Sequence, residues 1–500
     1  MTQHPILRSF LGNAPAWYKL TVLAFLAANP LLLAVAGPFL TGWVVLLEFI
    51  FMLALTLRCY PLQPGGLLAL EAMALGLVTP AQAYAELTIG FPIILLLIFM
   101  VAGVYFLQDM LLAVFTRLLL RVRSRTGIGL LFCAVSALLS AFLDALTVMA
   151  VILMVAYGFY AVYHRVAAHR REEDEHDIAD DSRVAPPHAA DLEQFRAFLR
   201  SLVMHAAVGT TIGGVCTLVG EPQNVLIGAR AGWDFVEFFE RVAPVSMPVL
   251  AVGLVTCVLL QKVRWFGYGA DMPTQVAAVL ARHAQAERAR HDALRSVRIG
   301  AQAVVVVLMI AALGLHLAEV GLIGLGVLVL ATAFTGVIEE HRLGDAFRAA
   351  LPFTALLGVF FVIVAMIHTQ ALFAPVMHWV LGLEGTLQVA MFYLAAGGVS
   401  SISDNVFVAT LFLEDIVHAS ESGGVTPAQF SHLIVALNTG TNIPSIATPN
   451  GQAAFLFILS SALAPLIRLS YGRMVWMALP YFITLTVAGL LAVIYLLPGR

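Results

Sequence analysis

The sequence predicts an all-α polytopic membrane protein, and its composition and hydropathy pattern support this class. The chain has 500 residues, of which 61% are hydrophobic and only 11% are charged. Soluble globular domains carry about 25% charged residues, so the chain lies far outside that class. Its apolar runs are continuous rather than alternating with a period of two, which favours a bundle of helices over a β-barrel. The formal net charge of −3 is small and says nothing about partners. No nucleic acid is expected.

The apolar runs recur from Leu20 to Leu497. At about 20 residues for each crossing of the bilayer, about ten to twelve of them are candidate transmembrane helices. The first run, which follows Arg8 and Lys19, is similar to a cleavable signal peptide. Because another apolar run begins at Trp43, we expect the first helix to be retained. The four cysteines have no spacing typical of a disulfide framework or a zinc site.

A basic segment divides the apolar runs into two groups. From Lys262 to Arg298 there are seven Lys or Arg residues and three acids, so the positive-inside rule predicts that this segment is cytoplasmic. We therefore expect one integrated transmembrane domain over residues 1–500. Its expected parts are a first repeat at 40–262, a basic cytoplasmic linker at 263–298 and a second repeat at 299–500.

A second polar stretch, at residues 164–200, is expected to be a cytoplasmic loop within the first repeat. It mixes arginines with a run of acids and a histidine at 172–177. Blocks of charge of this kind are usually solvated, and we expect a loop here. A metal site formed by its histidine and carboxylates is the alternative.

Two aspartates are the most informative residues of the chain. Asp144 lies within the apolar run 140–150 and Asp404 within the apolar run 400–410, each flanked by small polar residues and by no other charge. A charged side chain near the bilayer centre costs roughly 2.5–3.5 kcal/mol on insertion scales. Two acids in matching surroundings, one in each half, predict a duplicated ion pathway.

A second pair of polar interruptions supports an internal repeat. Residues 209–224 and 438–451 are both rich in Gly, Thr, Asn and Pro within apolar surroundings. When Pro222 is aligned with Pro449, the spacing from the preceding aspartate is 78 residues in the first half and 45 in the second, and the excess of 33 is about the size of the 164–200 loop. Such clusters indicate helices that break at membrane depth, where transporters bind ions.

These residues suit competition between a proton and a cation. Burial favours the neutral form of a carboxylic acid, whereas a bound cation favours the carboxylate, so one side chain can hold either. Hard cations take oxygen ligands. The alternative for both aspartates is that they only cap helix N-termini. The candidate ligands are Asp144, Asp404, Asn405, Ser140, Thr147, Ser403, Asn224 and Asn450, with Na⁺ at Asp144 and Asp404 and with Glu221 and Thr448 as further candidates.

No enzyme is expected. The chain contains no HExxH, GxSxG or Walker A pattern, so neither a membrane protease nor an ATP-driven pump is indicated. No cofactor is expected, and transport would draw on ion gradients. An ion channel is an alternative, although paired broken helices are typical of alternating access rather than of a continuous pore.

Several runs of the sequence are specific rather than generically hydrophobic, and they are 10–20, 59–69, 99–106, 140–147, 158–160 with 163–167, and 439–450. Through these runs the sequence resembles the NhaB-type bacterial sodium/proton antiporters over nearly its whole length. The resemblance implies an inner-membrane antiporter that expels Na⁺, and Li⁺ as well, in exchange for H⁺. A homodimer is left open.

The resemblance also implies an architecture. The wider ion-transporter superfamily pairs two inverted-topology repeats, each with a re-entrant hairpin and a broken transmembrane helix. Asp144 and Asp404 would lie at the two hairpin tips, and the segments Glu221–Asn224 and Thr448–Gly451 would be the two helix breaks. An anion carrier of the same superfamily, for dicarboxylates or arsenite, is the alternative, although two carboxylates would repel an anion.

Overall fold

The computed structural model describes residues 9–122, 124–168, 177–289, 293–373, 375, 379–380 and 382–497. Within these ranges the chain forms helices joined by turns, and no strand occurs among them. The all-α class that the sequence predicts is therefore confirmed.

The helices are numbered α1 to α21 along the chain. The first eleven are α1 Ala16–Ala54, α2 Leu62–Ala74, α3 Pro80–Ile89, α4 Phe91–Leu95, α5 Val101–Tyr105, α6 Gln108–Arg121, α7 Arg125–Ser140, α8 Ala145–Ala167, α9 Pro186–Gly214, α10 Pro222–Ala231 and α11 Phe235–Val263. The others are α12 Thr274–Ala289, α13 Ala293–Gly314, α14 Val320–Thr335, α15 Glu340–Thr369, α16 Gly385–Ser400, α17 Asn405–Glu421, α18 Pro427–Asn442, α19 Ala453–Ser460, α20 Leu463–Leu466 and α21 Tyr471–Tyr495.

Fewer helices are both long enough and apolar enough to cross a membrane than the sequence suggests. By length and composition, five helices of the described residues qualify, or six if a pair bent by 59° at residues 106–107 is one span. The expected number was about ten to twelve. The difference arises because several apolar runs end at breaks and leave apolar helices of 10–17 residues, such as Arg125–Ser140 and Val320–Thr335.

Each half of the chain contains a helix pair joined by a four-residue tip that ends in an aspartate. Helix α7 ends at Ser140, and α8 begins after Asp144, which is its N-cap. Helix α16 ends at Ser400, and α17 begins after Asp404, which is again the N-cap. Aspartate is among the preferred N-cap residues because its side-chain oxygen accepts hydrogen bonds from the first free backbone N–H groups. The sequence therefore places both aspartates at helix starts.

A helix that stops and restarts packs against each of these pairs. In the first half α9 packs against α7 and ends at Gly214, and the chain resumes as α10 at Pro222. In the second half α18 packs against α16 and ends at Asn442, and a 3₁₀ turn precedes α19. Proline suits the first position of α10 because that position needs no N–H donor.

The polar loop is shorter than the predicted 164–200, and that boundary is corrected here. Helix α8 continues to Ala167 and α9 begins at Pro186, so only residues 168–185 connect them. Within α9, Arg196 donates from Nε to the carbonyl of Leu466 (2.8 Å), and Arg200 donates to that of Ile467 (2.6 Å). These arginines are buried because they satisfy the carbonyls of α20 and its C-cap, which the local sequence does not reveal. Residues 169–176, where the alternative metal site was considered, lie outside the described residues.

An ion-pair cluster fastens this connection to the second half. Asp181 accepts from Arg196 (2.7 Å) and pairs with Arg468 (3.1 Å). Partial burial opposes ionisation of Asp181, but the hydrogen bonds from Arg196 and from the other partners hold its pKa below the usual value. The predicted linker at 263–298 likewise contains regular structure, since α12 occupies much of it and α13 begins at Ala293.

Candidate functional site

A cavity of about 40 Å³ lies where the N-termini of α8, α10 and α17 come together. Three carboxylates from three different elements line it: Asp144, Glu221 and Asp404. None of the described residues that line it is basic. The other lining residues are Leu97, Val101, Ala145, Leu146, Pro222, Gln223, Asn405, Val406, Gly451 and Ala453. The fold therefore brings residues of both halves to one small acidic space.

The two aspartates are held by backbone N–H groups at the start of their helices. Asp144 accepts from the N–H of Thr147 (3.2 Å), and Asp404 accepts from those of Val406 (2.9 Å) and Phe407 (3.3 Å). Helix N-termini favour negative charge, so each carboxylate is oriented and partly stabilised there. Capping and cavity lining occur together in both residues, so the capping role does not exclude an ion-binding role.

Glu221 is the third acid, and its side chain makes fewer hydrogen bonds than those of the two aspartates. It is the N-cap residue of α10, yet its side chain makes no capping hydrogen bond. Glu221 is 6% exposed, and its buried Oε1 has no hydrogen-bond partner among the described residues. A buried polar atom without a partner is costly. Glu221 therefore has a free oxygen beside the cavity.

Asn405 ties the second tip to its neighbours. With its amide nitrogen turned towards them, it donates to the carbonyls of Gly451 (2.9 Å) and Thr441 (3.0 Å). Ser400, at the end of α16, also donates to the carbonyl of Thr441 (2.7 Å). These bonds join the tip at Asp404 to the break between α18 and α19.

One threonine from each break holds a hairpin tip. Thr217 donates from its hydroxyl to the carbonyl of Ala141, and Thr448 donates from its hydroxyl to the carbonyl of Ser401 (2.6 Å). Ala141 and Ser401 each lie three residues before the aspartate of their tip. The same contact thus occurs in both halves. It aligns Thr217 with Thr448, which places Pro222 opposite Ala453 rather than opposite Pro449 as the sequence alignment has it.

The hydroxyls predicted as ligands lie near the aspartates. Ser140 and Ser403 are fully buried, and the Oγ of each has no hydrogen-bond partner among the described residues. Thr147 is buried in the first turn of α8. None of the three is among the residues that line the cavity.

The structure places two predicted asparagines away from the cavity. Asn224 donates to the carbonyls of Gly214 (2.9 Å) and Thr217 (2.7 Å), so it closes the first break rather than facing the cavity. Asn450 donates to the carbonyl of Ala54 (3.1 Å) at the end of α1. The Oδ1 of Asn450 is buried and has no hydrogen-bond partner among the described residues, so Asn450 stays a candidate ligand.

Sequence reasoning missed an amide chain that connects the two breaks. Gln223 donates to Oδ1 of Asn442 (2.7 Å), and Asn442 donates to Oδ1 of Asn224 (3.2 Å). Gln452 donates to the carbonyl of Asn442 (3.1 Å) and to Oγ of Ser445 (2.7 Å). The amides clustered in both interruptions were the available signal. Their pairing across more than 200 residues was not available from the sequence.

The acids do not form a preassembled multidentate metal site. In the described part of the chain, no group of three His, Cys, Asp or Glu side chains lies close enough together to hold one metal ion. The oxygen atoms at this cavity are of the kind that hard cations prefer.

Comparison with known proteins identifies the family. The family model described as bacterial Na⁺/H⁺ antiporter B (NhaB) matches residues 1–499. The chain belongs to the NhaB family. This membership confirms the resemblance found in the sequence, and it makes the chain a transporter rather than an enzyme.

Individual relatives in the family are similar over nearly their whole length. The Na⁺/H⁺ antiporter NhaB of Pseudomonas aeruginosa is 60% identical over 483 residues, covering 97% of this chain and 96% of that protein. The protein of the same name from Hahella chejuensis is 58% identical over 482 residues, covering 96% of each. A solved structure of Neisseria gonorrhoeae MtrF aligns at 14% identity with a TM-score of 0.44, over 82% of this chain and 81% of that one. That likeness is too low to support a conclusion.

Proposed function

We propose that this NhaB-family chain exchanges Na⁺ for H⁺ across the bacterial inner membrane by competition of the two ions for Asp144 and Asp404. Family membership supports the overall reaction. The cavity supports the mechanism, because three carboxylates and no basic side chain are found among its described lining residues. Li⁺ is a second cargo on the same chemistry, since it is also a small hard cation.

The charge of the cavity favours a cation over an organic anion. A cavity needs about 10–15 Å³ to hold one water molecule, so about 40 Å³ accommodates a partly dehydrated cation. The three carboxylates that line the cavity would repel a dicarboxylate. This repulsion counts against the anion carrier.

The exchange follows from the helix starts that hold the aspartates. When a carboxylate is ionised, the N–H groups of its first turn stabilise the charge, and the second oxygen is available to a cation. When a proton binds, the charge is removed and so is the attraction for Na⁺. Each of the two aspartates then holds either a cation or a proton, and this competition couples the exit of Na⁺ to the entry of H⁺.

Neutral oxygens complete the proposed coordination. The unpaired hydroxyls of Ser140 and Ser403 lie beside the two tips. Freed backbone carbonyls of the breaks supply further ligands, as in other transporters with discontinuous helices. Asn405 holds the second tip against its break, which keeps Asp404 in place.

The test is a substitution that keeps the cap and removes the charge. Purified protein in liposomes with an internal pH dye is challenged with Na⁺, Li⁺, K⁺ or a dicarboxylate. The unmodified protein changes the internal pH on addition of Na⁺ and Li⁺. Asp144→Asn abolishes this signal, because asparagine caps a helix as well as aspartate does but binds neither ion as a carboxylate.

A second helix start provides the matched control. Asp234 caps α11 by accepting from the N–H of Glu237 (2.8 Å), and it is not among the residues that line the cavity. Asp234→Asn makes the same chemical change and leaves exchange intact. Normal exchange in Asp144→Asn would contradict the mechanism, and a response to dicarboxylate alone would contradict the substrate.

A further inference from the structure

A second cavity, of about 310 Å³, lies beside the C-terminal half of α17. Its walls come from α3, α15 and α17 and from the residues that follow α15. The titratable groups that face it are Glu86, His368, Glu414, Asp415 and His418. Because His418 is exposed, the cavity reaches the surface of the protein.

Two helices connect this second cavity with the cavity lined by Asp144, Glu221 and Asp404, which is called the exchange cavity from here on. Helices α10 and α17 pack against each other, and the residues at their starts, Glu221 and Asp404, both line the exchange cavity. Arg230 near the end of α10 forms an ion pair with Glu414 on α17. The helices therefore run side by side in the same direction. Glu414 is ten residues beyond Asp404, which corresponds to roughly 15 Å of helix, or half of the roughly 30 Å hydrocarbon thickness.

The second cavity lies on the membrane face opposite to the basic segment. Helix α11 begins at Phe235, four residues after α10 ends at Ala231. It has 29 residues and ends at Val263, where the basic segment begins. A helix of that length crosses the whole bilayer. If the basic segment is cytoplasmic by the positive-inside rule, the second cavity opens to the outside.

The charge of this cavity is negative. Glu414 is neutralised by Arg230. Glu86 lies 3.7 Å from His368, is only 7% exposed, and its buried Oε1 has no hydrogen-bond partner among the described residues. Asp415 adds a further carboxylate. With Glu86 beside His368 and Glu414 paired with Arg230, Asp415 is left without an ion pair among the described residues, and the unpartnered Oε1 of Glu86 is a free ligand atom for a cation.

We propose that this acid-lined cavity is the outer vestibule of the exchange cavity, where it attracts the small cations that pass between that cavity and the outside. The proposal rests on the proposed function, since it needs an exchange to measure. Clefts lined by charges of one sign raise the local concentration of counter-ions and the rate at which they bind. The vestibule affects the binding of Na⁺ only from the side of the membrane to which it opens. It leaves the competition between ions at Asp144 and Asp404 unchanged.

The experiment measures Na⁺ affinity separately from the two sides of the membrane. The protein is reconstituted in one orientation, and Na⁺-driven pH change is recorded at low ionic strength. Neutralising the vestibule with Glu86→Gln together with Asp415→Asn raises the apparent KM for Na⁺ from the vestibule side at least about threefold, with kcat unchanged. The KM from the other side stays the same.

Ionic strength and a matched variant separate steering from a structural defect. The difference in KM shrinks when choline chloride is raised to about 0.3 M, because the Debye length falls below about 8 Å. Glu237→Gln serves as the control, since it removes one acid near the same membrane face, where Glu237 pairs with Arg241 (2.6 Å) outside the vestibule. It leaves the KM unchanged.

An unchanged KM in the double variant, or an equal rise of KM from both sides of the membrane, would contradict the vestibule proposal. Absence of Na⁺-driven exchange in the unmodified protein would instead overturn the proposed function. Asp415→Asn alone, at a partly exposed position, repeats the test if the double variant does not fold.

Discussion

In the first half of the molecule Thr217 donates to the carbonyl three residues before Asp144, and in the second half Thr448 donates to the carbonyl three residues before Asp404. The glycines three residues after these threonines also match. A Cβ on Gly220 would collide with the carbonyl oxygen of Gly214, and one on Gly451 would collide with that of Ser445, in each case six residues earlier. These shared contacts support two structurally equivalent repeats.

The side chains at matched positions differ, however. Glu221 in the first half corresponds to Gln452 in the second, and Ala145 corresponds to Asn405. Glu221 has a buried oxygen without a partner, whereas the Gln452 amide donates two hydrogen bonds. The two breaks share their contact with a hairpin tip, but the second is longer and contains a 3₁₀ turn, and only the first has an ionisable residue at the matched position.

Giving the second half the acid found at the matched position of the first half has the largest expected effect, which is a loss of stability. Gln452→Glu replaces an amide donor with an acceptor that faces the carbonyl of Asn442. Leaving buried polar groups without partners at this position costs about 3 kcal/mol of stability. The measurement is the thermal unfolding temperature of purified protein at two pH values. Acid restores part of the loss, because a protonated carboxyl donates again.

Gln82→Glu is the matched control for this change. Gln82 forms an exposed capping box with Thr79, a position that glutamate fills equally well. An equal loss of stability in both variants would show that the two halves do not differ at Glu221 and Gln452 in the way proposed.

Giving the first half the amide found at the matched position of the second half has an intermediate effect, which is a weaker affinity for Na⁺. Glu221→Gln removes one of three carboxylates from the cavity and keeps the shape of the side chain. The attraction for a cation falls, and the apparent KM for Na⁺ rises about tenfold, equivalent to about 1.4 kcal/mol. Dye-loaded liposomes give the KM, with Glu237→Gln as the control. An unchanged KM would place Glu221 outside the cation site.

The smallest expected effect is a loss of stability in two matched variants, which together test whether the two repeats are equivalent. Thr217→Val and Thr448→Val each remove one hydrogen bond between a break and a tip. Each costs about 1 kcal/mol, and the two losses are equal within error. Thermal unfolding measures both, and Thr88→Val, at an exposed position on α3, provides the baseline. A large difference between the two variants would contradict a common backbone.

The sequence by itself determined the class of the protein and the two residues at its centre. Continuous apolar runs predict helices in a membrane. Asp144 and Asp404 stand out because burying a charge is costly wherever the chain folds, so the cost is visible in the local sequence. Their place at helix starts also follows from local chemistry, since aspartate caps helices.

Only the tertiary structure decided which distant groups meet. Aligning the prolines obscured the match between Thr217 and Thr448, and it could not show that the Asn450 amide donates to the carbonyl of Ala54 at the end of α1. The buried arginines of α9 appeared to belong to a solvated loop, because their partners lie about 270 residues away, around Leu466. The identity of a polar residue is local, but its hydrogen-bond partner is set by how remote segments pack.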